Sequence, residues 1–261
     1  MLTKSQIDKI LKGIHSGEID IDNIPYELSA FTYSELIMFV ESGFGKLDSA
    51  FKTAKMELYK GNVSAFSGAK TFQEVKDLTN YTFNTDGSKR KFKEFKELAL
   101  DLDEQYNKRW LKTEQDTAFR IAQSADQWHD IEKTKDLFPM IQYQTALDEA
   151  VRHEHAAWDG IKRPVDDPFW DTRMPLNGWG CRCRVIKLRE GKTTNLNTHL
   201  KDYNKNNPDA KVKSLKNSSD QFNVNPGKVD YIFDEKKHPY FKHTKSEDKA
   251  FKKAVKWDSK E

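Results

Sequence analysis

Two cysteines separated by one residue, Cys181 and Cys183, are the only thiols in a chain of 261 residues. A His-x-His, His153 and His155, lies upstream of them. The run CRCRVIKL, Cys181 to Leu188, alternates like a β-strand, and side chains at i and i+2 of a strand share one face. Both thiols can therefore reach one point, and His155 can complete an S/S/N set. Such a set suits zinc, which takes four ligands; His153, Asp159, Asp166 and Asp171 are the candidate fourths. The plainer alternative is a pair of reduced thiols packed under Trp170 and Trp179, with His155 bonded to a carbonyl or an aspartate. The uncommon C-x-C spacing favours that alternative. A catalytic reading would make a Cys the nucleophile with His155 and Asp159 behind it, or would use the cluster in a metal-dependent nuclease. Neither has a spacing signature, such as a nucleophile elbow or a zincin helix, and no Gly-rich loop could cradle phosphate. No catalytic residue is assigned.

Arg152, Arg163, Arg173, Arg182 and Arg184 crowd the same stretch beside Asp148, Asp159, Asp166, Asp167 and Asp171. Guanidinium pairs bidentately with carboxylate, so the expectation is an ion-pair lattice bracing a loop-rich fold. A face of arginines toward DNA phosphate is the sharper alternative, weakened by the balancing acids. The Lys runs at Lys89-Arg90-Lys91 and Lys249 to Lys256 read as solvated faces.

The elements that position these residues are mostly helical. Thr3 and Gln6 form a capping-box pattern ahead of Ile7, Ile10, Leu11 and Ile14, a helix ending near Gly17. Thr32 and Glu35 repeat the pattern before Leu36, Val40, Phe44, Leu47, Phe51, Ala54 and Leu58, which predicts a second helix bent at Gly43 and Gly45. From Ser88 to Phe138 there is neither Gly nor Pro. Apolar residues from Phe92 to Trp128 step by three or four, predicting one long helix or two in near-continuity. Met140 to Thr145 then alternates like a strand and is expected to pair with the Cys181 run. Turn signals lie between them at Asp159-Gly160, Arg163-Pro164, Asp167-Pro168 and Asn177-Gly178. Residues 191–220 are polar enough to read as a linker, and the Lys-rich end as a short amphipathic helix or frayed tail.

The resulting class is α+β. An elongated helical scaffold covers 1–137, a small loop-rich α+β module 138–190, and a polar linker with a partly disordered C-terminal extension 191–261. Hydrophobic residues make up 36% and charged residues 33% of the chain, with a mean hydropathy of -0.86. Helices and solvated segments around a modest core fit those figures. A net charge of +3 supplies no global field for nucleic acid. Two cysteines exclude a disulfide framework, and no window has the apolar length of a membrane span. The N-terminus lacks the apolar core of a signal peptide, so synthesis and residence in a reducing cytoplasm are expected.

The stretch from Tyr143 to Leu188 resembles the Mu protein F-like head morphogenesis proteins of tailed phages. The resemblance rests on Tyr143 and Thr145; Arg152, His155, Asp159 and Gly160; Asp166, Asp167, Phe169 and Trp170; and Pro175, Gly178, Trp179, Cys181, Arg182 and Cys183. Trp110, Thr113, Glu114, Thr117 and Ala118 are similar to the family's W-x-x-T-E-x-x-T-A helix, and Phe222 to Gly227 to a later family element. Met174-Pro175 stands where family members commonly carry Pro-Pro. The resemblance implies a non-enzymatic minor head protein acting in procapsid assembly. Portal, major capsid or scaffold proteins would be its partners and packaged DNA a further contact, without membrane or small-molecule substrate. It implies a place at the head interior or portal vertex of the virion, reached from the host cytoplasm. The short polar remainder after the block leaves no expectation of a fused effector.

Overall fold

A computed structural model describes residues 2–258. Helix α1 (Lys4–Ser16) opens with the expected capping box: the Thr3 side chain accepts from the Gln6 N–H, and Gln6 reaches back to the Thr3 N–H. It stops at Gly17, whose φ of 90° a side chain would resist. Helix α2 (Tyr26–Phe44) starts earlier than the sequence pattern implied, after Pro25, and Thr32 lies buried within it rather than capping it. The expected bend is a break. Gly45 adopts a φ of 65°, and Ser49 caps a separate helix α3 (Ala50–Asn80) through the Lys52 N–H. The restart changes the phase, so Leu47 and Leu58 face solvent while Met56 and Tyr59 are buried.

Helix α4 (Phe92–Glu104), a π-helical turn (Gln105–Trp110) and helix α5 (Leu111–Lys133) run on without a gap, which bears out two helices in near-continuity. Phe95, Ala99, Leu102 and Tyr106 are buried as the periodicity required, and Phe92 is half-buried. The π turn holds more residues than an α turn, so it rotates the face of the next helix. Trp110 is 37% exposed, and Leu111 takes the inward place.

Helices α2, α3 and α5 share one core through Leu36, Val40, Phe44, Val63, Phe66 and Ile121. Close approach there is set by small residues. A Cβ on Gly43 would stand 2.3 Å from the Phe119 carbonyl oxygen.

Beyond Pro139 the module is a three-stranded antiparallel sheet in the order β2-β1-β3. Strand β1 (Met140–Gln144) pairs with β3 (Arg184–Leu188), Gln142 facing Ile186, and with β2 (Lys162–Pro164). The expected pairing of the two runs is present, but the strand begins at Arg184, leaving both cysteines in the loop before it. One-turn helices α6 (His153–Ala156) and α7 (Trp170–Arg173) fill the connection. Trp128 and Ile131 of α5 enter the module's core beside Tyr143, Trp158, Trp170 and Val185.

The segment after 190 carries more structure than its composition announced. It contains α8 (Leu196–Asn206), which lies on the module: Tyr203 Oη donates to the His153 carbonyl. Phe222, Ile232 and Phe233 then join the helical core. The chain closes with α9 (Asp248–Val255), the expected terminal helix, packed on α3 through Phe251 against Phe72.

Below this core lies a buried charge cluster. Lys70 Nζ is 2.6 Å from a Glu114 carboxylate oxygen and donates to the Tyr106 carbonyl at 2.8 Å. Glu74 accepts from Asn107 Nδ2 at 2.7 Å. Burial, then the nearby Asp103 charge, pushes the Glu74 carboxyl up to about 8. A folded carboxyl raised above its unfolded value binds its proton more tightly in the native state, so stability is lost as pH rises from about 4.5 through about 8. Thermal unfolding between pH 5 and 9 should show that decline in the wild type and a flatter profile in Glu74→Gln; parallel profiles would refute it. Gly68 gives a second check. Alanine in a helix interior normally gains about 1 kcal/mol over glycine, but a Cβ here would lie 2.1 Å from the Ala254 carbonyl oxygen of α9. Gly68→Ala should therefore destabilise, by roughly 1–3 kcal/mol, in denaturant unfolding.

Candidate metal centre

His155 is placed by the single turn α6, which starts after extended Arg152. The ring is 3% exposed and stacks on Trp158 at 4.9 Å. Nδ1 lies 3.7 Å from the Cys181 sulfur and 3.7 Å from the Cys183 sulfur. All three ligand atoms fall within 4.8 Å of one another. Zn–S of about 2.3 Å and Zn–N of about 2.0 Å at tetrahedral angles put sulfur and nitrogen roughly 3.5 Å apart and the two sulfurs roughly 3.8 Å apart. The geometry fits a tetrahedral ion with small adjustment. It departs from the packed-thiol alternative, in which His155 would turn to a carbonyl or an aspartate.

The loop reaches this arrangement without strand pairing. Gly180 turns the chain at a φ of 68°, and the Cys181 N–H bonds to the Gly178 carbonyl. Arg152 clamps the approach by donating to the Trp179 carbonyl. Behind the sulfurs, the Tyr143 hydroxyl sits beside both thiols and donates to Asn177 Oδ1 at 3.0 Å. The Cys183 thiol alongside, opposed by burial and helped by His155 and the Asn177 N–H, holds the Cys181 thiol well below the usual thiol range. Cys183 moves upward, since the Cys181 thiolate beside it and its burial oppose a second negative charge. A divalent cation would remove that opposition and ionise both thiols.

None of the candidate fourth ligands joins the cluster among the described residues. His153 faces solvent. Asp159 accepts from the Thr145 N–H and hydroxyl at 2.8 and 3.0 Å. Asp166 pairs with Lys135, and Asp171 with Lys228. Among the described residues the Cys–His–Asp relay is therefore not assembled. Outside His155 lies a space of about 10 Å³ lined by Ala146, Val151 and Gly180. That is near the minimum for one water, so a water can complete the coordination while a substrate cannot enter there.

The arginine lattice is only partly realised. Arg182 grips Asp148 bidentately at 2.5 and 2.7 Å, and Arg163 pairs with Asp167 at 2.6 Å. Arg152 and Arg173 instead donate to the carbonyls of Trp179 and Leu215, and Arg184 to Gln144 Oε1. Loops expose carbonyls with no ladder partner, and guanidinium groups satisfy them. On the α5 side, a polar cleft of about 550 Å³ reaches both Cys181 and Cys183 and is bordered by Arg182, Arg184, Asp126 and Asp130, the two carboxylates being paired with Lys52 and Lys187. Sequence reading passed over Tyr143 and Asn177 as neighbours of the sulfurs; an apolar-looking strand and a turn signal concealed them.

The stretch that builds this centre has counterparts among known proteins. The sequence model of the family described as "Phage Mu protein F like protein" matches residues 73–186. The "Putative capsid assembly protein F" of Escherichia phage Mu is 39% identical over 77 residues, 30% of this chain and 18% of that protein. The "Mu-like prophage FluMu F protein" of Haemophilus influenzae is 38% identical over 80 residues, 31% of this chain and 18% of that protein. The aligned part thus spans under a fifth of either relative. No solved structure matches.

Elemental analysis of chain purified without chelator should find about one zinc per molecule, lost in Cys181→Ser and in His155→Ala. Chelation should lower the thermal midpoint of the wild type alone. Metal-free wild type whose stability ignores added zinc would leave a reduced thiol pair.

Proposed function

Since residues 73–186 of this chain match the model of the phage Mu protein F like family, we propose that the protein is a minor head component of that family acting in phage capsid assembly. The reading is supported above all by what lies within the matched span. His155, Cys181 and Cys183 converge in a seam between two cores, Cys181 packing into the helical core and Cys183 against both. A ligand set packed into two cores braces a fold, and the cleft that reaches the sulfurs brings no carboxylate into the cluster, since Asp126 and Asp130 are held by Lys52 and Lys187. Zinc at this seam is thus structural, and the protein works by contact rather than catalysis. The name of the Mu relative, a putative capsid assembly protein, points the same way. No helix among the described residues is long and apolar enough to cross a membrane.

The partners proposed are portal, major capsid or scaffold proteins, with packaged DNA as a further contact, at the head interior or portal vertex. Deleting the gene from its phage or prophage should leave aberrant or empty heads, restored by wild-type protein supplied in trans. Mass spectrometry of purified particles should find the protein in few copies. Normal particle yield without the gene would overturn the assembly role. Metal-dependent DNA cleavage by purified protein, abolished in a folded His155→Ala variant, would replace it with a nuclease.

A further inference from the structure

Two separated motifs, W-x-x-T-E at Trp110 to Glu114 and G-W at Gly178-Trp179, meet at a cavity that the metal centre does not use. It measures about 410 Å³, within the range of ligand sites. Trp110, Trp179, Tyr240 and Pro239 form its walls, and His238 and Thr113 add polar groups. The π-helical turn ends at Trp110, which keeps that indole 37% exposed at the rim.

The polar groups decide what the cavity accepts. Glu114 also borders it, but Lys70 neutralises one carboxylate oxygen at 2.6 Å and the Tyr240 hydroxyl donates to the other at 3.1 Å. His238 is 6% exposed, and its Nδ1 accepts from the Tyr240 N–H, which places the ring proton on Nε2. Burial, then the Lys70 charge, lowers its basicity to about 4, so the ring is neutral at physiological pH. The His238 Nε2–H and the indole N–H groups of Trp110 and Trp179 have no partner among the described residues. The lining therefore offers three unpartnered N–H donors and flat aromatic faces, with Gln221 and Thr113 able to donate or accept and its one carboxylate already neutralised.

We propose that this cavity docks a proline-rich, extended segment of another head polypeptide. A polyproline II segment presents carbonyls without competing N–H groups, and its rings lie flat on aromatic faces. Flat indole walls that carry N–H donors match that pattern, whereas a phosphate would find no free cation, because Lys70 is committed to Glu114. The assembly reading enters only in naming the partner a head polypeptide.

The test uses the full chain, ¹⁵N-labelled, titrated with a blocked decaproline peptide. The indole N–H resonances of Trp110 and Trp179, assigned from Trp110→Phe and Trp179→Phe, should move together and saturate. Those of buried Trp128 and Trp158 should stay. Trp110→Phe keeps an aromatic ring but loses one donor, so dissociation should become about fivefold weaker, one hydrogen bond's worth. In that variant, unchanged indole signals from Trp128, Trp158 and Trp170 report that the fold is intact. No movement at millimolar peptide overturns the proposal. So does an octathymidylate or a lysine peptide that moves the same two resonances more strongly. Peptide binding by a protein whose gene is dispensable for heads would uphold the cavity and reject the assembly role, so the two failures are separable.

Discussion

The molecule depends on one seam, where the C-R-C loop and Leu176 press on α5. Leu176 and Cys181 are buried with Ile121, Ala122 and Ala125, which belong to the helical core. One turn farther along, Trp128 and Ile131 of the same helix belong to the core of the module. A single helix thus serves two cores, and the loop bearing both sulfurs closes the joint between them. With hydrophobic residues at only 36%, such a chain has little apolar surface to spare. The zinc proposed here would tie His155 to residues 26 and 28 positions away and so add what burial does not, because structural zinc contributes on the order of 10 kcal/mol in small folds.

The Lys70–Glu114 pair constrains the other end of the helical core. Both side chains are nearly sealed from solvent, and desolvating two charges costs several kcal/mol before their attraction returns it. Such a pair adds little net stability, but it penalises every helix register that separates the partners. Here it sets α3 against α5, and the second Lys70 bond, to the Tyr106 carbonyl, holds the π-helical turn in the same place. The widened turn is therefore braced from below. Its consequence is the outward position of Trp110, which a continuous α-helix would have pointed inward.

Local signals in the sequence carried far, and they failed where tertiary contacts overruled them. The capping box at Thr3, the stop at Gly17 and the face from Phe95 to Tyr106 were legible because each is set within a few residues. The same logic misread Thr32, whose box pattern lies inside a helix, and Gly45, which ends a helix rather than bending it. Helix α3 buries residues on more than one side, Val63, Phe66, Ala69, Phe72 and Val75 among them, so amphipathic periodicity gives little sign of it. The sulfur–imidazole convergence followed from residue types, though not from the strand alternation invoked for it, since both cysteines precede the strand. The C-terminal segment was hidden by composition: a few anchors, Phe222, Ile232, Phe233 and Phe251, dock a stretch that is otherwise Lys, Asn, Ser and Asp.

The seam and the aromatic cavity are not independent features. Trp179, one wall of the cavity, stands two residues before Cys181, and its carbonyl is held by Arg152, the residue just before the turn that carries His155. Its ring packs edge-on to Phe222 at 5.0 Å and to His238 at 5.8 Å, so the C-terminal segment closes over it. The proposed metal, by immobilising the C-R-C loop, would immobilise the Trp179 backbone from one side, while the returning chain fixes its ring from the other. A docking surface gains affinity when its groups are ordered before the partner arrives, because the entropy of ordering them has already been met in folding. On this arrangement the cysteines and His155 need not line the cavity to affect its order. Their effect is transmitted two residues along the backbone, to a tryptophan that lines the cavity.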